Sequence, residues 1–165
     1  TQLSTAEDLP FSAACFDVVS FVMMIHQLGA EKFQKSMSEA ARVSKKGGRV
    51  WIKTCSGDDL AARPFTELFP STLKINTERY QGIDEIIDTM RLNGGSLERM
   101  ETLVDYYEML GSEIIDRTKA RHNTTLFLLD DIEFQTGLEG LISIYERDET
   151  YHLSHRHTLL DFRFG

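Results

Sequence analysis

The chain has 165 residues, with 18 Lys and Arg against 26 Asp and Glu and a formal charge of −8. This acidic balance, with no basic run beyond Lys45-Lys46, repels a phosphate backbone at long range and argues against a nucleic-acid partner. The longest unbroken apolar run, Phe21 to Ile25, is far short of a membrane span, and Cys15 and Cys55 make no disulfide framework, which suggests free thiols in a reducing cytoplasm.

In chain order, residues 1–14 read as a loop, since Pro10 removes a backbone donor and Ser12-Ala13-Ala14 has no period. Phe16 to Ile25 is apolar at nearly every position and rich in β-branched residues, as a strand covered by helices on both faces requires. Phe33, Met37, Ala40 and Ala41 then recur at helical spacing, Lys45 and Lys46 suit a helix C-terminus, and Gly47 can take the left-handed conformation that ends it. Val50-Trp51-Ile52 supplies a second short strand, so the segment predicts a parallel β-α-β unit.

Pro64 breaks any long helix after Lys53, so 58–69 reads as two short turns whose Phe65, Leu68 and Phe69 either line a pocket or seal the sheet. Residues 82–93 form a helix with Ile83, Ile86, Ile87 and Met90 on one stripe and Gly94-Gly95 as its stop. Residues 99–106 alternate as a strand, and 112–121 are helical. Asn123-Thr124-Thr125 offers a cap before a short apolar run. Phe134, Leu138, Leu141, Ile142 and Tyr145 mark a helix over 131–145, and 157–164 alternate as a last strand. One layered α/β unit over residues 1–165 follows.

Four ordered blocks carry a resemblance: Ala6-Glu7-Asp8-Leu9-Pro10-Phe11, Phe16-Asp17-Val18-Val19, Ile25-His26-Gln27-Leu28, and the run from Glu39 through Lys45-Lys46-Gly47-Gly48 to Val50. At this spacing the chain resembles class I S-adenosylmethionine-dependent methyltransferases of type 11, the small-molecule branch that includes quinone-biosynthesis C-methyltransferases. The resemblance implies the C-terminal half of a Rossmann-like sheet ordered 3-2-1-4-5-7-6, here strands 4, 5, 7 and 6, with the last strand antiparallel beside the fifth. The glycine-rich turn that holds the methionine end of the donor precedes these blocks in the family, and the chain contains no G-x-G. It therefore reads as a single partial domain of roughly a hundred residues fewer than the whole fold.

S-adenosylmethionine is the implied cofactor, and a small molecule the implied methyl acceptor. The resemblance places Ala6 and Glu7 against the donor's adenine, a small residue admitting the ring and a polar neighbour meeting its amine, with Thr5 in an adjoining polar slot. Phe21, Val22, Met23 and His26 fall at the carboxyl end of a parallel strand, where such folds bind ligands. His26 can orient or deprotonate an acceptor, or simply cap the strand end by a hydrogen bond. An Asn-Pro-Pro-Tyr motif for amine methylation is replaced by Val22-Met23-Met24-Ile25. His152, His155 and His157 raise a metal reading that no nearby cysteine supports. Without its preceding strands, the Phe16–Ile25 edge would be bare and would pair with a second copy of the chain or with protein upstream of Thr1. A methyltransferase-like binding or dimerising module without a donor site is the alternative to an enzyme.

Overall fold

The computed structural model describes residues 3–165. Four strands form one mixed sheet in the order β1-β2-β4-β3: β1 Phe16–Val22, β2 Ser44–Thr54, β3 Gly95–Leu110 and β4 Thr150–Phe164. β1 and β2 are parallel, with Val19 opposite Val50 and Phe21 opposite Ile52, and β4 runs antiparallel beside β2, with Leu160 opposite Ile52. The expected β-α-β unit and the antiparallel last strand are both present. Contacts divide the chain into two compact units, the first made of residues up to Ser56, Arg79–Leu103 and His157–Gly165, the second of Gly57–Glu78 and Val104–Arg156.

In the first unit α1, Ala30–Val43, connects β1 to β2, and α5, Ile83–Leu92, precedes β3. Their apolar stripes meet the sheet: Phe33, Met37 and Ala40 from α1 and Ile86 and Met90 from α5 are fully buried with Val50, Ile52, Leu160 and Phe162. Burial of these side chains contributes roughly 1.5–3 kcal/mol each. Behind β2, the Asp161 carboxylate of β4 is sealed from solvent and meets the Arg49 guanidinium at 3.0 and 2.7 Å.

Three details of this unit differ from the sequence reading. The first strand ends at Val22 instead of Ile25, because Met23 adopts a left-handed backbone (φ 50°) and the next turn, Ile25–Gln27, is a 3-10 helix that buries Ile25. Only one face of β1 is covered: Phe21 is in the core, whereas Val18 and Val22, 43% and 62% exposed, and Trp51 on β2 remain open among the described residues. Finally, α1 stops at Val43, where the Ser44 hydroxyl donates to the Ala40 carbonyl at 2.7 Å. Lys45 and Lys46 already belong to β2. Gly47 is left-handed as foreseen (φ 76°), but it serves the register shift between Phe16 and Val18 on the neighbouring strand.

The second unit contains α2 Gly57–Ala61, α3 Phe65–Leu68, α4 from Ser71, α6 Gly111–Lys119 and α7 Asp131–Ile144. The two short turns after Lys53 are α2 and α3; α4 was not legible in the sequence. Phe69 is fully buried against Phe134, Leu138 and Leu141 of α7 and Ile114 and Ile115 of α6, so it closes a helical core. α7 is capped by Asp130, whose side chain accepts from the Glu133 N–H at 2.9 Å. Asn123 does the same for the Thr125 N–H at 3.0 Å.

Candidate active site

The site residues inferred from sequence all belong to the first unit. Thr5 and Asp8 form an isolated bridge, so 5–8 is a tight turn; within it, Ala6 packs on the first core. The Glu7 carboxylate is held below its ordinary value first by a hydrogen bond from its own backbone N–H, and further by the Lys32 ammonium 3.4 Å away and by Thr5. Glu7 is thus an anion with a preset direction at neutral pH.

A clamp on α1 fixes the turn from behind. Glu39 Oε2 accepts the Leu9 N–H at 2.8 Å, while Arg42 donates to the carbonyls of Leu9 and Phe11 at 3.0 and 2.8 Å and to both Glu39 oxygens. The Arg42 guanidinium, then the Leu9 N–H, draw the Glu39 carboxyl down to about 2. The loop therefore has a backbone donor at Leu9 and backbone acceptors at Leu9 and Phe11 satisfied by charged groups. Sequence reading gave Glu39 and Arg42 no role, because i,i+3 pairs on helices are commonplace and nothing in the chain marks their reach to residues 9–11.

At the far end of β1, the Met23 N–H still reaches the Lys53 carbonyl at 2.9 Å before the chain turns. A left-handed backbone is unusual for a long side chain and concentrates strain where ligands bind in open α/β sheets. His26 follows, half-buried, its ring stacked on Tyr80 with centroids 4.2 Å apart and planes within 7°. Gln81 Nε2 donates to the Leu28 carbonyl at 3.1 Å and ties the 80–81 segment to the turn that carries His26. The sequence reading gave Tyr80 and Gln81 no role.

Not every expected residue has its side chain at this rim. Phe21 is committed to the core, whereas Val22 points to the open face of the sheet. The histidines near the end of β4 do not converge: His155 is bonded to Tyr107 at 3.0 Å and His152 lies 3.3 Å from Glu108. Among the described residues no group of three His, Cys, Asp or Glu side chains is placed to hold a metal ion.

Residues 1–52 match the methyltransferase domain family, a span that holds the 5–8 turn, β1, His26, α1 and most of β2. The fold is a methyltransferase fold. A Bacillus halodurans protein provisionally described as a methyltransferase superposes with a TM-score of 0.59 at 18% identity, over 97% of this chain and 75% of its own. An S-adenosylmethionine-dependent methyltransferase from Thermotoga maritima gives 0.52 at 16%, over 98% and 62%. Geranyl diphosphate C-methyltransferase from Streptomyces coelicolor, solved with Mg2+, geranyl diphosphate and S-adenosyl-L-homocysteine, gives 0.50 at 13%, over 99% and 52%. No curated protein matches in sequence. The methyltransferase fold of this chain thus spans from about half to three quarters of these structures, and among its described residues no helix is long and apolar enough to cross a membrane.

Proposed function

We propose that this chain takes part in S-adenosylmethionine-dependent methyl transfer to a small-molecule acceptor. The observation that supports it most is the 5–8 turn followed by a loop clamped at Leu9 and Phe11, because together they hold a small residue next to a carboxylate paired with Lys32. Ala6 leaves room for the edge of an adenine, and Glu7 accepts from its exocyclic amine. S-adenosylmethionine supplies an electrophilic methyl group on sulfur. The chain's task is then to align the acceptor and to take up the proton it releases; that role is assigned to His26, and the stacking of its ring on Tyr80 supports the assignment.

The sequence has no G-x-G, so the turn that the resemblance assigns to the methionine end of the donor is not among these 165 residues. The chain alone should hold the donor weakly. Titration calorimetry with S-adenosylhomocysteine tests the reading: weak binding is expected, weakened at least about tenfold further by Ala6→Trp, which fills the space left for the ring. Equal affinity in both proteins, or no binding by any longer form of the protein, would refute it.

A second reading rests on the open edge of β1 and on exposed Val18, Val22 and Trp51. An unpaired edge beside an apolar face adds a strand readily, and a second copy of the chain is the partner proposed. Light scattering of the purified chain should show a dimer that Val22→Lys dissociates. A monomer at every concentration rules this out.

A further inference from the structure

Two polar atoms in the first unit are left over by everything described so far. The Gln81 amide is oriented, because its Nε2 donates to the Leu28 carbonyl; turning it over would set two oxygens against each other. Its Oε1 is sealed from solvent and accepts no hydrogen bond. A buried carbonyl without a donor is costly, and such groups are rare enough to need an explanation. Thr54 Oγ1, fully buried at the last residue of β2 paired with β4, is in the same condition. Both atoms belong to the segments that follow or end at the carboxyl edge of the sheet, where the His26–Tyr80 stack also lies.

We infer that Gln81 is a binding residue for the methyl acceptor, its Oε1 taking a hydrogen bond from an O–H or N–H group of a small neutral molecule. The inference rests on the proposed methyltransferase reading and adds the substrate's class: a protic acceptor, with a donor group that pairs with Gln81 Oε1. Tyr80, next in the chain, is half-buried and stacked on His26 outside the first apolar core. In this proposal the acceptor reaches the oxygen by displacing Tyr80. The fixed amide then discriminates by chemistry more than by size, since a ligand without a donor leaves the carbonyl unpaired while displacing Tyr80.

The test uses the longest form of the protein obtainable, with and without saturating S-adenosylhomocysteine, and a probe pair differing by one methyl: 4-methoxyphenol, which has a donor, and 1,4-dimethoxybenzene, which has none. Dissociation constants from ligand-observed NMR should favour the phenol by about tenfold, the effect of one net hydrogen bond. Gln81→Leu should reduce the preference to within about twofold. Circular dichroism on the variant shows that the fold survives. An unchanged preference in Gln81→Leu overturns the inference. So does failure of both probes to bind, or a high-resolution structure in which a fixed water satisfies Oε1 and stays when the phenol binds. Loss of S-adenosylhomocysteine binding with the phenol preference intact would sink the methyltransferase reading and leave Gln81 as a ligand residue.

Discussion

Replacing Glu39 by Gln should loosen the 5–11 loop and cost stability in a pH-dependent way. The isosteric amide keeps the volume but loses the charge that Arg42 and the Leu9 N–H converge on. A carboxyl drawn from 4.5 to about 2 carries at most ~3 kcal/mol of proton-linked stability, at about 1.4 kcal/mol per tenfold change in proton affinity. The Glu39 side chain is 18% exposed and its Arg42 partner 37%, so solvent screening lowers the expected loss to about 1–2 kcal/mol. Because the folded value is depressed, this stability is fully present above 4.5 and disappears as pH falls through about 2. Urea unfolding of both proteins between neutral pH and about pH 3 reads the difference directly, and it should be largest at neutral pH and shrink on acidification. A Glu39→Gln protein within about 0.3 kcal/mol of the parent at neutral pH would refute the clamp, as would a loss that stays constant on acidification.

Three further outcomes follow from other parts of the molecule. Arg49→Met leaves the sealed Asp161 carboxylate with only Arg99 at 3.9 Å, and should cost about 2–4 kcal/mol by urea unfolding; adding Asp161→Leu should recover most of the loss. Gly137→Ala drives a methyl group to 2.5 Å from the Leu68 carbonyl and the Phe69 ring, so α7 must shift, lowering stability by about 2 kcal/mol or more in the same assay. His155, half-buried beside Tyr107, has its imidazole pKa lowered first by burial and then by Arg63, against an opposing pull from Asp105. Its NMR titration should fall below the ordinary 6.5, and the stability tied to the neutral ring should decline as pH drops below that value; a midpoint above 6.5 contradicts this.

The sheet was legible because its information is local. Phe33, Met37 and Ala40 repeat at helical spacing, the last strand alternates, and both patterns bury the faces they predict. The boundaries were less legible where two local signals competed. Lys45-Lys46-Gly47 has the chemistry of a helix end, yet the Ser44 hydroxyl closes α1 sooner and the pairing of Phe16 with Ser44 claims those residues for β2. The same competition explains β1, whose apolar run continues past Val22 only because Ile25 is needed in the core from a turn and not from a strand. Candidate site residues such as Glu7 and His26 can be named from sequence because each lies in a short local block. The site was not legible where it depends on distance. Glu39 and Arg42 lie some thirty positions from the loop they hold, and a short-range pattern carries no record of such a contact. Gln81 is 53 positions from Leu28 and has no distinguishing neighbour in the sequence. What marks it is an unpaired oxygen, a property of packing that exists only once the chain has folded. Residues that order a loop or select a ligand in this way are therefore found by accounting for every buried donor and acceptor, and the clamp and the orphaned amide are the two places where that accounting leads to chemistry.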